Sequence, residues 1–194
     1  MKKLLLVVIC ALTLLVGSEQ LSEAQTKQEK PPPEQIKNKS KIVAVNTNEL
    51  EVFSYDAGKV RFIASSEDTN GAWAVVELTE MPGYKTTWHQ HNDLEEAYYV
   101  LEGVWTVKIA EKTYEFPAGS YVLIPRGTPH GQGNFTKNPV RLLLTVTPGG
   151  FERFFKDRVE LFKTMKPDNP EFPKKLAELR GRYTQILGTW DIQK

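Results

Sequence analysis

Between residues 42 and 147 the chain alternates short runs rich in Val, Ile, Tyr, Phe and Trp with breaks at Gly, Pro, Asn and Asp. Runs this short and this rich in β-branched and aromatic residues predict strands over 42–45, 60–65, 73–79, 97–102, 104–110, 112–116, 121–124 and 141–147. So many short strands at close spacing imply a mainly β sandwich or barrel in which alternate residues face the interior. After Thr147-Pro148-Gly149-Gly150 the period changes. Phe151, Phe154, Phe155, Val159 and Phe162 recur at helical spacing, and Leu176, Leu179, Tyr183, Ile186 and Leu187 repeat the pattern before Gly188. Two C-terminal α-helices are therefore predicted, parted by the proline-bearing stretch 167–173, with their aromatic faces packed on the outside of the β unit.

The residues before this region follow neither pattern. Met1-Lys2-Lys3 is a basic start, Leu4 to Val16 are mostly apolar, and the composition turns polar at Gly17 and Ser18. That is the layout of a secretory signal peptide, and it is shorter than the roughly 20 apolar residues a membrane span needs. Ser22 and Ala24 are the small residues a signal peptidase reads, so cleavage is expected after Ala24 and the mature chain at Gln25, secreted or periplasmic. Residues 25–41 set Pro31-Pro32-Pro33 among Lys, Gln, Glu, Ser and Asn, with Ile36 the sole large apolar side chain. They bury too little to order themselves and are expected to form a disordered arm. The layout is thus signal peptide 1–24, arm 25–41, β domain 42–147 and helical extension 148–194.

Composition narrows the chemistry. At 194 residues, 40% hydrophobic and 25% charged, the chain suits one globular domain with a small appendage. Twenty-five Lys and Arg against 24 Asp and Glu leave a net charge of +1, with no field to recruit nucleic acid. Once the signal is removed, no membrane partner is expected. The single cysteine, Cys10, lies in the signal, and one Cys with three His excludes zinc-finger spacings, so any metal ligands come from His, Asp, Glu and Asn.

All three histidines, His89, His91 and His130, fall in the β region. Two residues apart on a strand, His89 and His91 present both imidazoles on one face. Glu95 and Glu96 open the next strand, and a carboxylate beside neutral imidazoles suits a divalent first-row metal. The surrounding spacing is specific. Gly83 is followed by five residues, His89-Gln90-His91, four residues, Glu96, six residues and Gly103. Gly119 is followed by five residues, Pro125-Arg126-Gly127, two residues, His130, three residues and Asn134, and fifteen residues separate Gly103 from Gly119. In both motifs the chain resembles the cupin superfamily, with every position filled, and the count selects Glu96 over Glu95.

The resemblance implies a cupin-type double-stranded β-helix, or jelly-roll barrel, in which His89, His91, Glu96 and His130 converge on one metal. Three His and one Glu leave two positions of an octahedron open, which favours Fe, Mn, Ni or Co, with Zn or Cu also able to bind. Gly103 and Gly119 are expected at positive φ in hairpins, and Asn134 in a structural role. Tyr98 and Val100 share strand parity with Glu96 and are expected on the pocket wall, as is Tyr121 or Leu123 beside the second motif. The whole layout is similar to bacterial cupins of the quercetin 2,3-dioxygenase-like group. That implies a dioxygenase-like oxidoreductase joining dioxygen to a small enol or flavonol-like substrate, with Glu96 as base as well as ligand. For that role burial should raise the pKa of Glu96. Two other readings stay open: a non-oxidative cupin isomerase or lyase, and a non-catalytic module that binds a small ligand or metal. A homodimer is also left open.

Overall fold

A computed structural model describes residues 40–192. The expected signal peptide and all but the last two residues of the arm lie outside the described residues. In chain order the strands begin with β1 (Phe53–Tyr55), β2 (Gly58–Ala64), β3 (Ala74–Glu80), β4 (Trp88–Gln90) and β5 (Glu95–Glu102). They continue with β6 (Val104–Ile109), β7 (Lys112–Pro117), β8 (Tyr121–Ile124), β9 (His130–Gly133) and β10 (Val140–Thr147). Helices α1 (Glu152–Thr164) and α2 (Phe172–Tyr183) follow, and strand β11 (Gln185–Gly188) comes last.

The strands form two antiparallel sheets, one ordered β1-β2-β3-β10-β5-β8 and the other β11-β4-β9-β6-β7. Alternation sets which side chains meet between them. Along β10, Val140, Leu142, Leu144 and Val146 are buried while the residues between them are not. Leu142 pairs with Leu78 and Val100, and Leu144 with Val76 and Tyr98, so three adjacent strands present one apolar face. Trp105 and Val107 meet it from β6 in a single core. Each such side chain contributes about 1.5–3 kcal/mol by leaving water, which stabilises the sandwich without a disulfide. Gly103, the hinge between β5 and β6, has φ +84°, and a Cβ there would stand 2.9 Å from the Pro139 carbonyl oxygen. Glycine is needed on both counts.

Three expectations need correction. Residues 42–45 form no strand: Ile42 is 96% exposed and no ladder receives this stretch, so β-propensity has nothing to pair with. The second helix ends at Tyr183, and Ile186 and Leu187 belong to β11, which lies along β4 with Ile186 opposite His89. Pairing with an open sheet edge overrides the helical spacing there. The aromatic face of α1 does more than cover the outside of the β unit, because Phe154 and Phe155, with Phe151 just before the helix, line a partly open cavity.

Helix α1 is anchored at its start. The buried Glu152 carboxylate accepts hydrogen bonds from the Ser66 N–H (3.0 Å), the Ser66 hydroxyl (2.6 Å) and the Gly150 N–H (2.7 Å). Burial alone would raise its pKa, but these donors hold it below the usual carboxylate range.

Candidate metal centre

His89 and His130 stand opposite each other in the β4–β9 ladder, and His91 follows the last residue of β4. Glu96 comes from the other sheet, where β5 turns its even-numbered side chains inward. The four buried residues each offer a ligand atom, and these atoms all lie within 4.8 Å of one another. Glu95, one residue away, points outward and pairs with Arg126 at 3.3 Å. Strand parity thus gives the same choice as the spacing.

Each imidazole is oriented through its Nδ1. His89 Nδ1 lies 2.8 Å from the Thr87 carbonyl oxygen, His130 Nδ1 2.9 Å from that of Thr128, and His91 Nδ1 3.2 Å from that of Tyr183. A carbonyl accepts but cannot donate, so it holds the proton on Nδ1 and leaves the Nε2 lone pair free. His91 Nε2, His130 Nε2 and Glu96 Oε2 are buried with no hydrogen-bond partner, although His130 Nε2 approaches Glu96 Oε2 to 2.9 Å and His91 Nε2 to 3.7 Å. With the imidazoles neutral, acceptors converging at these distances repel unless a cation sits among them. The donor set, three imidazole nitrogens and one carboxylate oxygen, fits a divalent first-row metal.

Electrostatics agrees with that fit. Burial lowers the pKa of His89 to about 4, with His130 adding to the effect, and burial lowers His91 as well. Both are neutral and ligand-competent at pH 7. The Glu96 carboxylate pulls His130 the other way, above its ordinary value, against the effect of burial. The raised pKa expected for Glu96 is not found: burial pushes it up, but His91 and His130 outweigh this and bring it to about 2. Tyr98 donates a hydrogen bond to Glu96 Oε1 at 3.0 Å, which leaves Oε2 for a cation.

The cavity beside this cluster is small and partly open, with a volume of about 40 Å³. Its wall includes His89, Glu96 and Tyr98, as well as Phe151 from the start of the extension, Arg158 from α1 and Arg180 from α2. Of the four side chains expected on the wall, Tyr98 is there. Val100 is fully buried in the core instead, and Tyr121 and Leu123 are 64% and 51% exposed. The β5–β8 register explains the difference, since it sets Val122 opposite Tyr98 and Ile124 opposite Glu96, so Val122 and Ile124 take the inward positions of β8. Asn134 is buried, and its amide donates to the carbonyls of Glu80 and Asn138 and accepts from Thr136, a structural role. Sequence reasoning missed both arginines, although a signal was present. Arg158 lies four and three residues after Phe154 and Phe155, and Arg180 four after Leu176, so each charge sits on an apolar helical face.

Comparison with known proteins adds to this geometry. A family model for the cupin domain matches residues 76–146. An uncharacterized protein of Methanocaldococcus jannaschii is 35% identical over 66 residues, covering 34% of this chain and 53% of that protein. Quercetin 2,3-dioxygenase of Bacillus subtilis is 26% identical over 96 residues, covering 50% of this chain and 28% of that enzyme. This chain therefore spans about half, and about a quarter, of the curated relatives it matches. Among solved structures, the polyketide cyclase RemF of Streptomyces resistomycificus aligns with a TM-score of 0.50 at 23% identity, over 55% of this chain and 79% of that one. At that identity the likeness is one of fold.

Proposed function

The chain is a cupin over residues 76–146, and from that premise we propose that it is a metal-dependent oxidoreductase of the dioxygenase type, acting on a compact enol. The observation that carries the reading is the convergence of His89, His91, His130 and Glu96 within 4.8 Å in a buried cluster whose His91 Nε2, His130 Nε2 and Glu96 Oε2 have no hydrogen-bond partner. The partial likeness to quercetin 2,3-dioxygenase supports the oxidative branch. The small cavity favours a substrate of few atoms over a flavonol.

His89, His91, His130 and Glu96 would hold one divalent metal. When bound, it supplies a Lewis acid for the enol oxygen and a site where dioxygen can react, both oxygen atoms ending in product so that no external reductant is consumed. The chain's own residues do the rest. The carbonyls of Thr87, Thr128 and Tyr183 keep the three rings facing inward. Glu96, held anionic by its histidine neighbours, offsets cation charge and accepts the hydrogen bond of the substrate hydroxyl, in place of the raised-pKa base expected. Tyr98 fixes its carboxylate plane, and burial pushes the Tyr98 phenol well above its ordinary pKa, so it stays a donor. Phe151, Phe154 and Phe155 give the cavity an apolar wall. The reading includes export: the protein recovered from the periplasm or medium begins at Gln25.

Metal analysis of protein purified without chelators or metal-affinity resin tests the site. About one equivalent of Fe, Mn, Ni or Co, absent from His130→Ala, is the expected result, followed by oxygen uptake with small enols. Turnover that proceeds equally without oxygen overturns the oxidative reading in favour of an isomerase or lyase. Absence of metal after anaerobic reconstitution leaves a binding module.

A further inference from the structure

The cavity wall carries more positive charge than a metal centre requires. Arg158 is 3% exposed, and its guanidinium is incompletely paired. Nη1 reaches the Tyr84 hydroxyl at 3.4 Å, Nη2 stands 3.7 Å from the exposed Asp56 carboxylate, and Nε is buried with no partner. The group lies 4.5 Å from the Tyr55 ring centroid, a cation–π contact that gives no hydrogen-bond partner to Nε. Arg180 joins it on the wall and forms no ion pair among the described residues. Burial and the nearby Arg158 charge both lower its pKa. Among the described residues Glu96 is the one carboxylate on that wall, and it is committed to the histidine cluster.

A buried cation with open donors is costly unless something completes its shell. A guanidinium has a planar fork of N–H donors, and its matching partner is a carboxylate. We propose that Arg158 and Arg180 bind the carboxylate of a compact organic anion whose enol or keto end reaches the His89–Glu96 side of the same cavity. The substrate class is therefore a small enolisable carboxylic acid. This deepens, and rests on, the reading of the histidine–glutamate cluster as the reacting centre. It also gives the C-terminal extension a role, in which the barrel strands hold the chemistry while α1 and α2 select for charge.

The test is calorimetric titration of the full chain, metal-loaded and metal-stripped, with pyruvate, pyruvamide and inorganic phosphate. Pyruvate should bind at least about tenfold more tightly than pyruvamide, which matches it in shape but lacks the charge. Arg180→Met should lose about tenfold in pyruvate affinity, leave pyruvamide unchanged and keep the full metal content. Arg158→Met should lose more, and Arg158→Lys should recover part, since it restores charge without the fork. Arg180 is only partly buried, so its variant decides the matter if Arg158→Met folds poorly. Equal binding of pyruvate and pyruvamide, no binding of either, or an unchanged Arg180→Met overturns the proposal and leaves Arg158 a stacking residue. Tighter binding of phosphate than of pyruvate overturns the carboxylate assignment. Charge-selective, arginine-dependent binding to a protein that takes up no metal sustains the proposal and refutes only the metal reading.

Discussion

His89 and His130 are each held by a carbonyl two residues earlier in their own segment, whereas His91 leans on the carbonyl of Tyr183, 92 residues away at the end of α2. The strand-borne part of the site is locally self-sufficient, and the part that faces the extension is not. The cavity repeats the contrast. Its barrel wall carries ligands whose geometry follows from strand pairing, while its helical wall carries Phe154, Phe155, Arg158 and Arg180, which reach the cavity only because α1 and α2 dock there. The two walls can therefore be separated by experiment, because damage to one should leave a recognisable part of the other's behaviour intact.

The largest effect should come from the barrel wall. His91→Ala or Glu96→Ala should lower metal affinity by more than about 100-fold, read by competition with a chelator, because each removes a direct ligand where loss of a supporting contact alone costs about 10–100-fold. Next, Leu179→Ala loosens α2 at a buried position and should cost about 2–5 kcal/mol of unfolding free energy. Because the Tyr183 carbonyl moves with α2, metal affinity should also fall by about tenfold, and an unchanged affinity would mean that His91 keeps its orientation without the extension.

A third comparison uses Glu80, buried on β3 with Gln132 donating to its Oε1 at 2.7 Å. Burial raises its pKa from 4.5 to about 8, with the hydrogen bond from Gln132 and the nearby Trp105 indole acting the other way. The folded state holds a proton there that the unfolded chain releases near pH 4.5, so this contribution to stability is full below that pH and is lost as pH rises through about 8. Glu80→Gln keeps the acceptor for Gln132 and removes the titration. Its melting temperature relative to the parent should rise between pH 5 and pH 9, and a constant difference would contradict the account. Tyr98→Phe, which removes the donor to Glu96 Oε1, should weaken metal by about tenfold with little change in fold. The smallest effect belongs to Glu95→Ala: its surface pair with Arg126 is worth at most about 1 kcal/mol, and metal content should not change.

How far the sequence could be read differs between the same two regions. Seven of the eight strands expected from residue runs appear with ends shifted by at most two residues, because their β-branched and aromatic residues also find partners. The run 42–45 has the same composition and finds none. Strands β1, β4, β9 and β11 do not stand out as runs, since three or four residues such as His130–Gly133 carry little propensity and are strands only through their neighbours. Beside His130, Gly131 packs against the Trp190 ring so closely that a Cβ would collide with it, a constraint set by a residue near the end of the chain. The choice of Glu96 over Glu95 was legible because spacing and the two-residue period of a strand agree. The inward face of β8 was not, since a period of two offers two equal phases and only the pairing of Val122 with Tyr98 selects one.

Spacing along the chain was enough to mark His89, His91, Glu96 and His130 as one group and to divide the chain into a β unit and a helical tail, because strand and helix periods are local properties of backbone geometry. Folding alone determined that Glu96 is held near a pKa of about 2, that Tyr183 orients His91, that β11 extends the histidine-bearing sheet, and that two arginines enter the same cavity. Each of these depends on groups far apart in sequence, and electrostatic and packing energies are set by distance in space, which no periodicity along the chain records.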